Sequence, residues 1–219
     1  MLDLNRFKCA IFDLDGTLLD STKVWEQVDI DFMKNHGLEI TDEFVQEIKS
    51  HNFETGSVYV VEKYNLKETP KEVMDEWFEM AKDGYANHIG LKPGVHEFLE
   101  YLKENHIKMV VATSSDRCLY EDCLKRNGIY DYFEDFTQTN EVQRGKKFPD
   151  VYLRAADKAG FKPCECVVFE DIYTAISAAK QGGFYTVAMY DESSDDDKDS
   201  IIKISDIFIE DYKSLMNNN

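Results

Sequence analysis

Hydrophobic and polar residues alternate along the chain with two different periods. Residues 7–13 (FKCAIFD) form a short apolar run that ends close to Gly16, a pattern that predicts a buried strand followed by a turn. Between about residues 21 and 90, apolar side chains recur at steps of three and four, as at Trp25, Val28 and Phe32. This spacing is typical of amphipathic helices, and the block as a whole predicts four helices without a strand, a small helical bundle.

Beyond residues 93–94 the pattern changes to alternating strands and helices. The predicted helices are 96–105, 116–127, 150–158 and 173–181. The predicted strands are 107–113, 132–137, 166–170, 186–189 and 206–209. Such alternation predicts an α/β fold with a doubly wound parallel sheet and helices on both faces. The helical block then interrupts this fold, so that residues 1–20 and 91–219 form a core domain and residues 21–90 an inserted helical cap domain.

Composition and charge narrow the class of protein. The chain is 43% hydrophobic, enough for a globular core, and its formal net charge of -18 opposes binding to nucleic acid or to anionic membranes. We find neither an apolar run of about 20 residues, which would span a bilayer, nor a signal-peptide pattern. We therefore expect a cytoplasmic protein. We also expect a monomer, because the sequence shows no evident exposed apolar stripe. Residues 191–199 (DESSDDDKD) are expected to form a solvated acidic loop.

Polar side chains follow several of the predicted strands. In doubly wound sheets, ligands bind at the carboxyl ends of the strands, where the following loops meet. The residues that this rule brings together are Asp13, Asp15, Thr113, Lys146, Glu170 and Asp171.

Two pairs of acids indicate a metal ion at this edge. Asp13 and Asp15 (DLDGT) are so close in sequence that their charges repel unless a cation or a shared proton intervenes, and Mg²⁺ prefers such hard oxygen ligands. A turn whose aspartates only cap it is the alternative. Glu170 and Asp171 could by themselves simply cap the following helix. Together with DLDGT, which should meet them at the same edge, they favour a metal site.

Four segments carry a resemblance to a known family. They are, in chain order, FDLDGTLLDS, VVATSS, GKKFPDVYL and VVFEDIYTAISAAKQGG. The chain resembles the haloacid dehalogenase superfamily of hydrolases, in the β-phosphoglucomutase-like phosphatase branch with a helical cap inserted after the first segment. The resemblance covers essentially the whole chain and implies a Rossmann-like core.

The resemblance also implies catalytic roles. Asp13 would be the nucleophile that attacks phosphorus, and Asp15 the general acid that later activates water. Thr113 would donate a hydrogen bond to the transferring phosphoryl group, and Lys146 would bridge that group and the nucleophile. The family often has proline after this lysine, whereas this chain has Lys147, so that either lysine could face the site; we favour Lys146 because it directly follows a glycine.

Metal and substrate ligands follow from the same resemblance. Mg²⁺ would be held by Asp13, by the backbone carbonyl of Asp15, by Asp171, and by Glu170 directly or through water. The substrate is expected to contact residues beside these positions and in a loop of the cap, namely Gly16, Thr17, Ser114, His51 and Asn52. For the cap loop, a polar connection between helices is an equally good interpretation.

The expected activity is Mg²⁺-dependent hydrolysis of a small phosphomonoester, a sugar or polyol phosphate, through an aspartyl-phosphate. The alternative is a β-phosphoglucomutase-like phosphomutase, which must grip a second phosphate; residues 21–90 contain no arginine for that purpose. Trp25 also stands where the mutase branch has histidine, and Asp116 where it has lysine. A non-catalytic binding module is disfavoured because no catalytic position is missing.

Overall fold

The computed structural model describes residues 3–48 and 53–216, with the side chains of Gln46 and Phe53 left aside. The chain divides into two compact units, one formed by Met1–Thr22 with Ile89–Asn219 and the other by Lys23–His88. Among the described residues, none of the helices combines the length and the apolar character needed to cross a membrane.

The larger unit is built on a parallel sheet. The strands of the described residues are β1 (Cys9–Phe12), β2 (Leu19–Asp20), β3 (Gly90–Leu91), β4 (Lys108–Thr113), β5 (Asp135–Gln138), β6 (Cys166–Glu170), β7 (Tyr185–Met189) and β8 (Ile207–Ile209). Six of them form one sheet in the order β5-β4-β1-β6-β7-β8, and each neighbouring pair is parallel. Because the strand order runs outward in both directions from β1, the predicted doubly wound α/β fold is confirmed.

Helices account for most of the remaining chain. They are α1 (Thr22–Asn35), α2 (Asp42–Ile48), α3 (Phe53–Tyr64), α4 (Pro70–Asn87), α5 (Val95–Glu104), α6 (Arg117–Arg126), α7 (Asp150–Ala159), α8 (Tyr173–Gln181) and α9 (Lys198–Ile204). The boundaries of α8 and of β6 are those predicted from the sequence, because a clean apolar run and a following double glycine delimit them.

The side chains of alternate residues in β1 pack on opposite faces of the sheet. Cys9 and Ile11 are buried with the small side chains of α7 and α8. Phe12 instead stacks on Phe169 of β6 with ring centroids 4.4 Å apart, and contacts Phe98 of α5 edge-on at 6.5 Å. This alternation is the period-two pattern of a strand buried on both sides. It places β1 at the centre of the core, with the next residue, Asp13, at the carboxyl edge.

Within residues 23–48 and 53–88 the smaller unit contains helices α1 to α4 and no strand, as the spacing of its apolar residues predicted. Thr69 opens α4 with a reciprocal capping box to Glu72, and Pro70 occupies the first helical turn. Phe32 of α1 packs edge-on against Trp77 of α4, with ring centroids 5.5 Å apart. Burial of this aromatic pair links the first and last helices of the unit.

Two local predictions differ from the structure, and two short strands were not predicted. The strand predicted at 132–137 is a 3₁₀ turn followed by β5, which begins later, at Asp135. Strands β2 and β3 pair antiparallel at the two crossings between the units, and they are too short for any periodic signal. The acidic segment 191–199 is exposed over most of its length, as predicted, but it is not an irregular loop, because Glu192–Asp197 form a 3₁₀ helix that leads into α9. Its first residue, Asp191, is an exception to the predicted solvation, with 1% of its surface exposed.

Candidate functional site

Three buried carboxylates meet at the carboxyl edge of the sheet. Asp13 directly follows β1, Glu170 ends β6, and Asp171 comes next. One carboxylate oxygen from each lies within 4.8 Å of the others, and their exposed fractions are 5%, 0% and 5%. The parallel pairing of β1 with β6 sets Phe12 opposite Phe169, which is why the residues that follow these strands come together. We call Asp13, Glu170 and Asp171 the acidic cluster.

Lys146 supplies a positive charge to the acidic cluster. Its Nζ atom forms ion pairs with Asp13 Oδ1 and with Glu170 Oε1, the latter at 2.6 Å. Burial opposes the charged form of this lysine, but the two carboxylates outweigh it and raise the pKa of Lys146 above its ordinary value. The neighbouring Lys147 is exposed, so it is the side chain of Lys146 that faces the cluster.

The protein alone leaves the acidic cluster short of positive charge. Burial is the main reason that the pKa of Asp13 is raised to about 7, with Lys146 acting in the opposite sense and Glu170 adding to the rise. The pKa of Asp171 is also raised well above its ordinary value, by burial and then by the charges of Glu170 and Asp13. Carboxylates gathered in this way are stabilised by a cation among them.

The turn after Asp13 is shaped to fit the acidic cluster. Gly16 has a φ of +77°, and a Cβ atom at this position would lie 2.8 Å from Cγ of Asp171. The hydroxyl of Thr17 donates a hydrogen bond to Asp171 Oδ1 at 3.1 Å. The backbone carbonyl of Thr17 in turn accepts a hydrogen bond from the buried Tyr212 hydroxyl at 3.2 Å. The turn thus places the Thr17 hydroxyl against the Asp171 carboxylate, and it can do so because Gly16 has no side chain.

Tyr152 is part of the site, although the sequence did not single it out. Its hydroxyl donates to Glu170 Oε1 at 2.7 Å, the same oxygen that Lys146 contacts. Burial, followed by the charge of Glu170, raises the pKa of Tyr152 well above its usual range. The only sequence signal was a tyrosine among small apolar residues on the buried face of α7, where its hydroxyl required a partner.

Asp15 does not join the acidic cluster through its side chain. Its Oδ2 atom accepts a hydrogen bond from the hydroxyl of Ser115, in the loop after β4. The backbone N–H of Ser115 donates to Thr113 Oγ1 at 3.0 Å, and its carbonyl accepts from Gln138 Nε2 at 2.9 Å. Ser115, which is itself bonded to Thr113 and to the last residue of β5, therefore links the Asp15 carboxylate to the end of β4.

The remaining residues named from the sequence do not belong to the acidic cluster. Ser114 is exposed and directly follows Thr113, at the carboxyl end of β4. Trp25 packs edge-on against Tyr85 within the helical unit, at 6.5 Å between ring centroids. His51 and Asn52 lie outside the described residues.

The acidic cluster fits a divalent cation. Carboxylate oxygens are the ligands that Mg²⁺ prefers. Three of them converge here, from the last residue of β6 and from the residues that follow β1 and β6, and the positive charge around them is insufficient. Because Gly16 has no side chain, the turn after β1 approaches the Asp171 carboxylate closely without displacing it. Asp13, Glu170 and Asp171 are therefore the residues that could hold such an ion.

Comparisons with known proteins agree with this geometry. Residues 10–189 match the family model described as haloacid dehalogenase-like hydrolase. A phosphorylated carbohydrates phosphatase of Thermotoga maritima is 27% identical over 80% of this chain and 82% of its own length. Hexitol phosphatase B of Escherichia coli is 27% identical over 78% of each chain. The crystal structure of a β-phosphoglucomutase from Clostridium difficile superposes with a TM-score of 0.73, at 19% identity, over 96% of this chain and 93% of its own.

The chain belongs to the haloacid dehalogenase-like hydrolase family, since the family model spans most of its length. This confirms the resemblance drawn from the four sequence segments and the prediction of an enzyme of this hydrolase class. The names of the curated relatives agree with a phosphatase. The structural superposition supports the fold.

Proposed function

We propose that this protein is a Mg²⁺-dependent phosphatase that hydrolyses a small phosphomonoester through an aspartyl-phosphate on Asp13. The observation that carries the proposal is the contact of the Asp13 carboxylate with Lys146 beside the acidic cluster. A carboxylate that attacks a phosphate dianion is repelled by it, and a neighbouring positive charge offsets that repulsion. The site offers the nucleophile and the compensating charge in contact with each other.

The covalent route divides the hydrolysis into two steps. One oxygen of Asp13 forms a bond to phosphorus while the bond from phosphorus to the leaving oxygen breaks, and Asp15 gives that oxygen its proton. Asp15, now a carboxylate, takes a proton from water as the water oxygen attacks phosphorus. Phosphate leaves and Asp13 is regenerated. Proton transfer of this kind is typically worth about 10²–10⁴-fold in rate.

Other residues position the phosphoryl group. We assign Thr113, whose hydroxyl lies at the end of β4, and Gly16, Thr17 and Ser114 to contacts with the phosphoryl group. Lys146 neutralises charge on its oxygens. Asp13, Glu170 and Asp171, with the carbonyl of Asp15, would hold Mg²⁺, which supplies Lewis-acid stabilisation of the charge that develops at phosphorus.

Sugar and polyol phosphates are the proposed substrate class. The support comes from two relatives that are named for phosphorylated carbohydrates and for hexitol phosphate, both at 27% identity. Selection among such esters would fall to the helical unit Lys23–His88, which we propose acts as a cap and whose sequence includes His51 and Asn52. A cytoplasmic location and a monomeric state stay predictions from the sequence.

A panel of phosphorylated metabolites tests the proposal. Purified protein with Mg²⁺ should release inorganic phosphate from several sugar or polyol phosphates, and EDTA should stop the release. Asp13→Asn should abolish turnover, whereas Asp122→Asn, which removes the same charge from the exposed face of α6, should retain it. Turnover by Asp13→Asn at a wild-type rate would refute the covalent route. Release of phosphate in metal-free buffer would refute the metal assignment.

A phosphomutase is the alternative, and product analysis separates it from a phosphatase. The protein would be incubated with β-glucose 1-phosphate and a trace of the 1,6-bisphosphate, and glucose 6-phosphate and phosphate followed together. We expect phosphate to dominate or neither product to form. Formation of glucose 6-phosphate much faster than phosphate would identify a mutase.

A further inference from the structure

The chain passes from the larger unit to the smaller one near Thr22 and returns near Ile89, and we call these two places the first and second crossing. One buried carboxylate contacts residues at or next to both crossings. Asp191, in the acidic segment after β7, is 1% exposed. Its Oδ1 atom accepts a hydrogen bond from Thr22 Oγ1 at 2.8 Å, at the first crossing. Its Oδ2 atom pairs with Lys92 Nζ at 2.6 Å, at the second crossing.

The two crossings also bind to each other. Leu19 and Asp20 of β2 pair antiparallel with Leu91 and Gly90 of β3. The backbone N–H of Lys92 donates to Leu18 O at 2.9 Å. A two-stranded ribbon of this length has little stability of its own, so it depends on its anchors. We call residues 18–22 with 89–92 the crossing ribbon.

The Lys92–Asp191 ion pair, which anchors the crossing ribbon, is buried, and further hydrogen bonds satisfy both partners. Lys92 is 9% exposed and also donates to the carbonyl of Tyr190 at 3.3 Å. The backbone N–H and the hydroxyl of Ser193 donate to Asp191 Oδ1 at 2.9 and 2.5 Å. Burial of a charged pair requires that each partner be satisfied in this way, and removal of one partner leaves the other uncompensated.

The same carboxylate lies beside the turn of the proposed active site. A Cβ atom at Gly16 would lie 3.4 Å from Cγ of Asp191 and 2.8 Å from Cγ of Asp171. The backbone of Gly16 therefore runs between the acidic cluster and the anchor of the crossing ribbon.

We propose that Asp191 is a positioning residue that fastens both crossings of the chain to the Gly16 turn. Asp191 lies against the backbone that leads from Asp13 to Thr17 and holds the two segments through which the helical unit is attached. Displacement of the crossing ribbon is thereby coupled to the turn, and the turn to the Asp171 carboxylate. The proposal rests on the proposed function only for its link to catalysis, because the fastening itself is a structural property of the unliganded protein.

Hydrogen–deuterium exchange of the backbone amides tests the fastening without any assay of activity. Thr22→Val removes the hydroxyl at the first crossing and keeps the Lys92–Asp191 pair. It should speed exchange in residues 18–22 by about tenfold, the effect of losing one hydrogen bond, and Thr22→Ser should restore the wild-type rate. Asp191→Asn should speed exchange in both halves of the crossing ribbon. Asp196→Asn, which removes the same charge from an exposed position of the same segment, should change neither half.

The pattern of exchange decides the outcome. Faster exchange confined to the crossing ribbon and the Gly16 turn supports the proposal. Unchanged exchange at the ribbon in Thr22→Val and in Asp191→Asn would overturn it, as would an acceleration spread evenly over the whole sheet, which a general loss of stability would produce. If Asp191→Asn does not fold, Thr22→Val and Thr22→Ser alone decide. A failure of the phosphatase proposal would leave these exchange rates as expected, so the two failures are distinguishable.

Discussion

A Cβ atom on Gly16 would lie 2.8 Å from Cγ of Asp171, closer than a side chain can approach a carboxylate that keeps its place. The two residues are far apart in the sequence. Gly16 follows Asp13 and Asp15, and Asp171 follows Glu170. Their contact means that the turn after β1 and the loop after β6 fit together without a side chain between them.

Gly16→Ala should therefore damage the metal site more than the fold. The positive φ of +77° makes alanine unfavourable by about 1–2 kcal/mol, and the collision should displace the Asp171 carboxylate. We expect the Mg²⁺ concentration for half-maximal activity to rise by about tenfold or more, the range seen when groups that orient a metal ligand are lost. The measurement is a Mg²⁺ titration of phosphatase activity.

Gly128→Ala is the matched control for that change. Gly128 has a φ of +70°, but a Cβ atom there meets nothing within 4 Å. It should lose a similar amount of stability in thermal unfolding without a change in Mg²⁺ requirement. An equal rise in both variants would show that backbone strain, and not the contact with Asp171, is responsible.

Replacement of Lys146 by methionine should abolish turnover and make the fold depend on metal. Lys146→Met leaves Asp13 and Glu170 without their lysine, and removal of one partner of a buried ion pair commonly costs about 3–5 kcal/mol. Because a bound cation would then be the acidic cluster's main source of positive charge, Mg²⁺ should raise the melting temperature of the variant more than that of the wild type.

Lys147→Met provides the comparison, since Lys147 is the exposed neighbour. Its turnover and its melting temperature with and without Mg²⁺ should stay close to wild type. Loss of activity in Lys147→Met together with retention in Lys146→Met would reverse the assignment of the two lysines.

Tyr152→Phe should weaken metal binding while it preserves the packing of α7. The substitution removes only the hydroxyl that donates to Glu170 Oε1 at 2.7 Å. We expect the half-maximal Mg²⁺ concentration to rise by roughly tenfold, with a smaller change in kcat at saturating metal. Tyr132→Phe removes a similar bond, from Tyr132 to Glu100 at 2.6 Å, and should leave the Mg²⁺ titration unchanged. Equal titrations for both variants would exclude a role for Tyr152 in the site.

Asp29→Asn should stabilise the protein at neutral pH. Burial, with the charge of Glu26 adding to it, raises the pKa of Asp29 in α1 to about 6. A raised pKa favours the protonated carboxyl in the folded state, so its contribution to stability is present below about pH 4 and is lost as the pH rises to about 6. Asparagine has no charge to bury, and the expected gain above pH 7 is about 1–2 kcal/mol, reduced from the full shift because the side chain is partly exposed.

Thermal unfolding from pH 4 to pH 8 measures this effect. The difference in melting temperature between Asp29→Asn and wild type should grow through pH 4–6 and then level off. Asp31→Asn removes the same charge from the same helix and controls for the change in net charge. A difference that stays constant with pH would contradict the raised pKa of Asp29.

The sequence by itself determined the fold class and most of the proposed site. Apolar runs with a period of two and helices with apolar residues at steps of three and four are local signals, and they predicted β6, α8 and the helical block between the crossings. Parallel strands bring their carboxyl ends to one edge of the sheet, so the positions of Asp13, Glu170 and Asp171 after the predicted strands are enough to predict that they meet.

Only the tertiary structure decided which side chains complete the site. Tyr152 and Tyr212 lie on a helix and in a C-terminal 3₁₀ turn, and their partners Glu170 and Thr17 come from distant segments. The orientation of Lys146 toward Asp13, with Lys147 exposed, depends on how the loop after β5 packs. No local pattern encodes such contacts, because they arise from the direction in which separate elements approach each other.

Asp191 is the residue whose environment the sequence pattern predicts least well. In sequence it is the first of several acids in a hydrophilic stretch, for which solvation is the expected environment. In the structure it is buried, because Lys92 and Thr22 arrive from the two crossings and provide the charge and the hydrogen bond that make burial of a carboxylate tolerable. Composition can predict that an acid prefers water, but only the assembled fold can supply the partners that replace it.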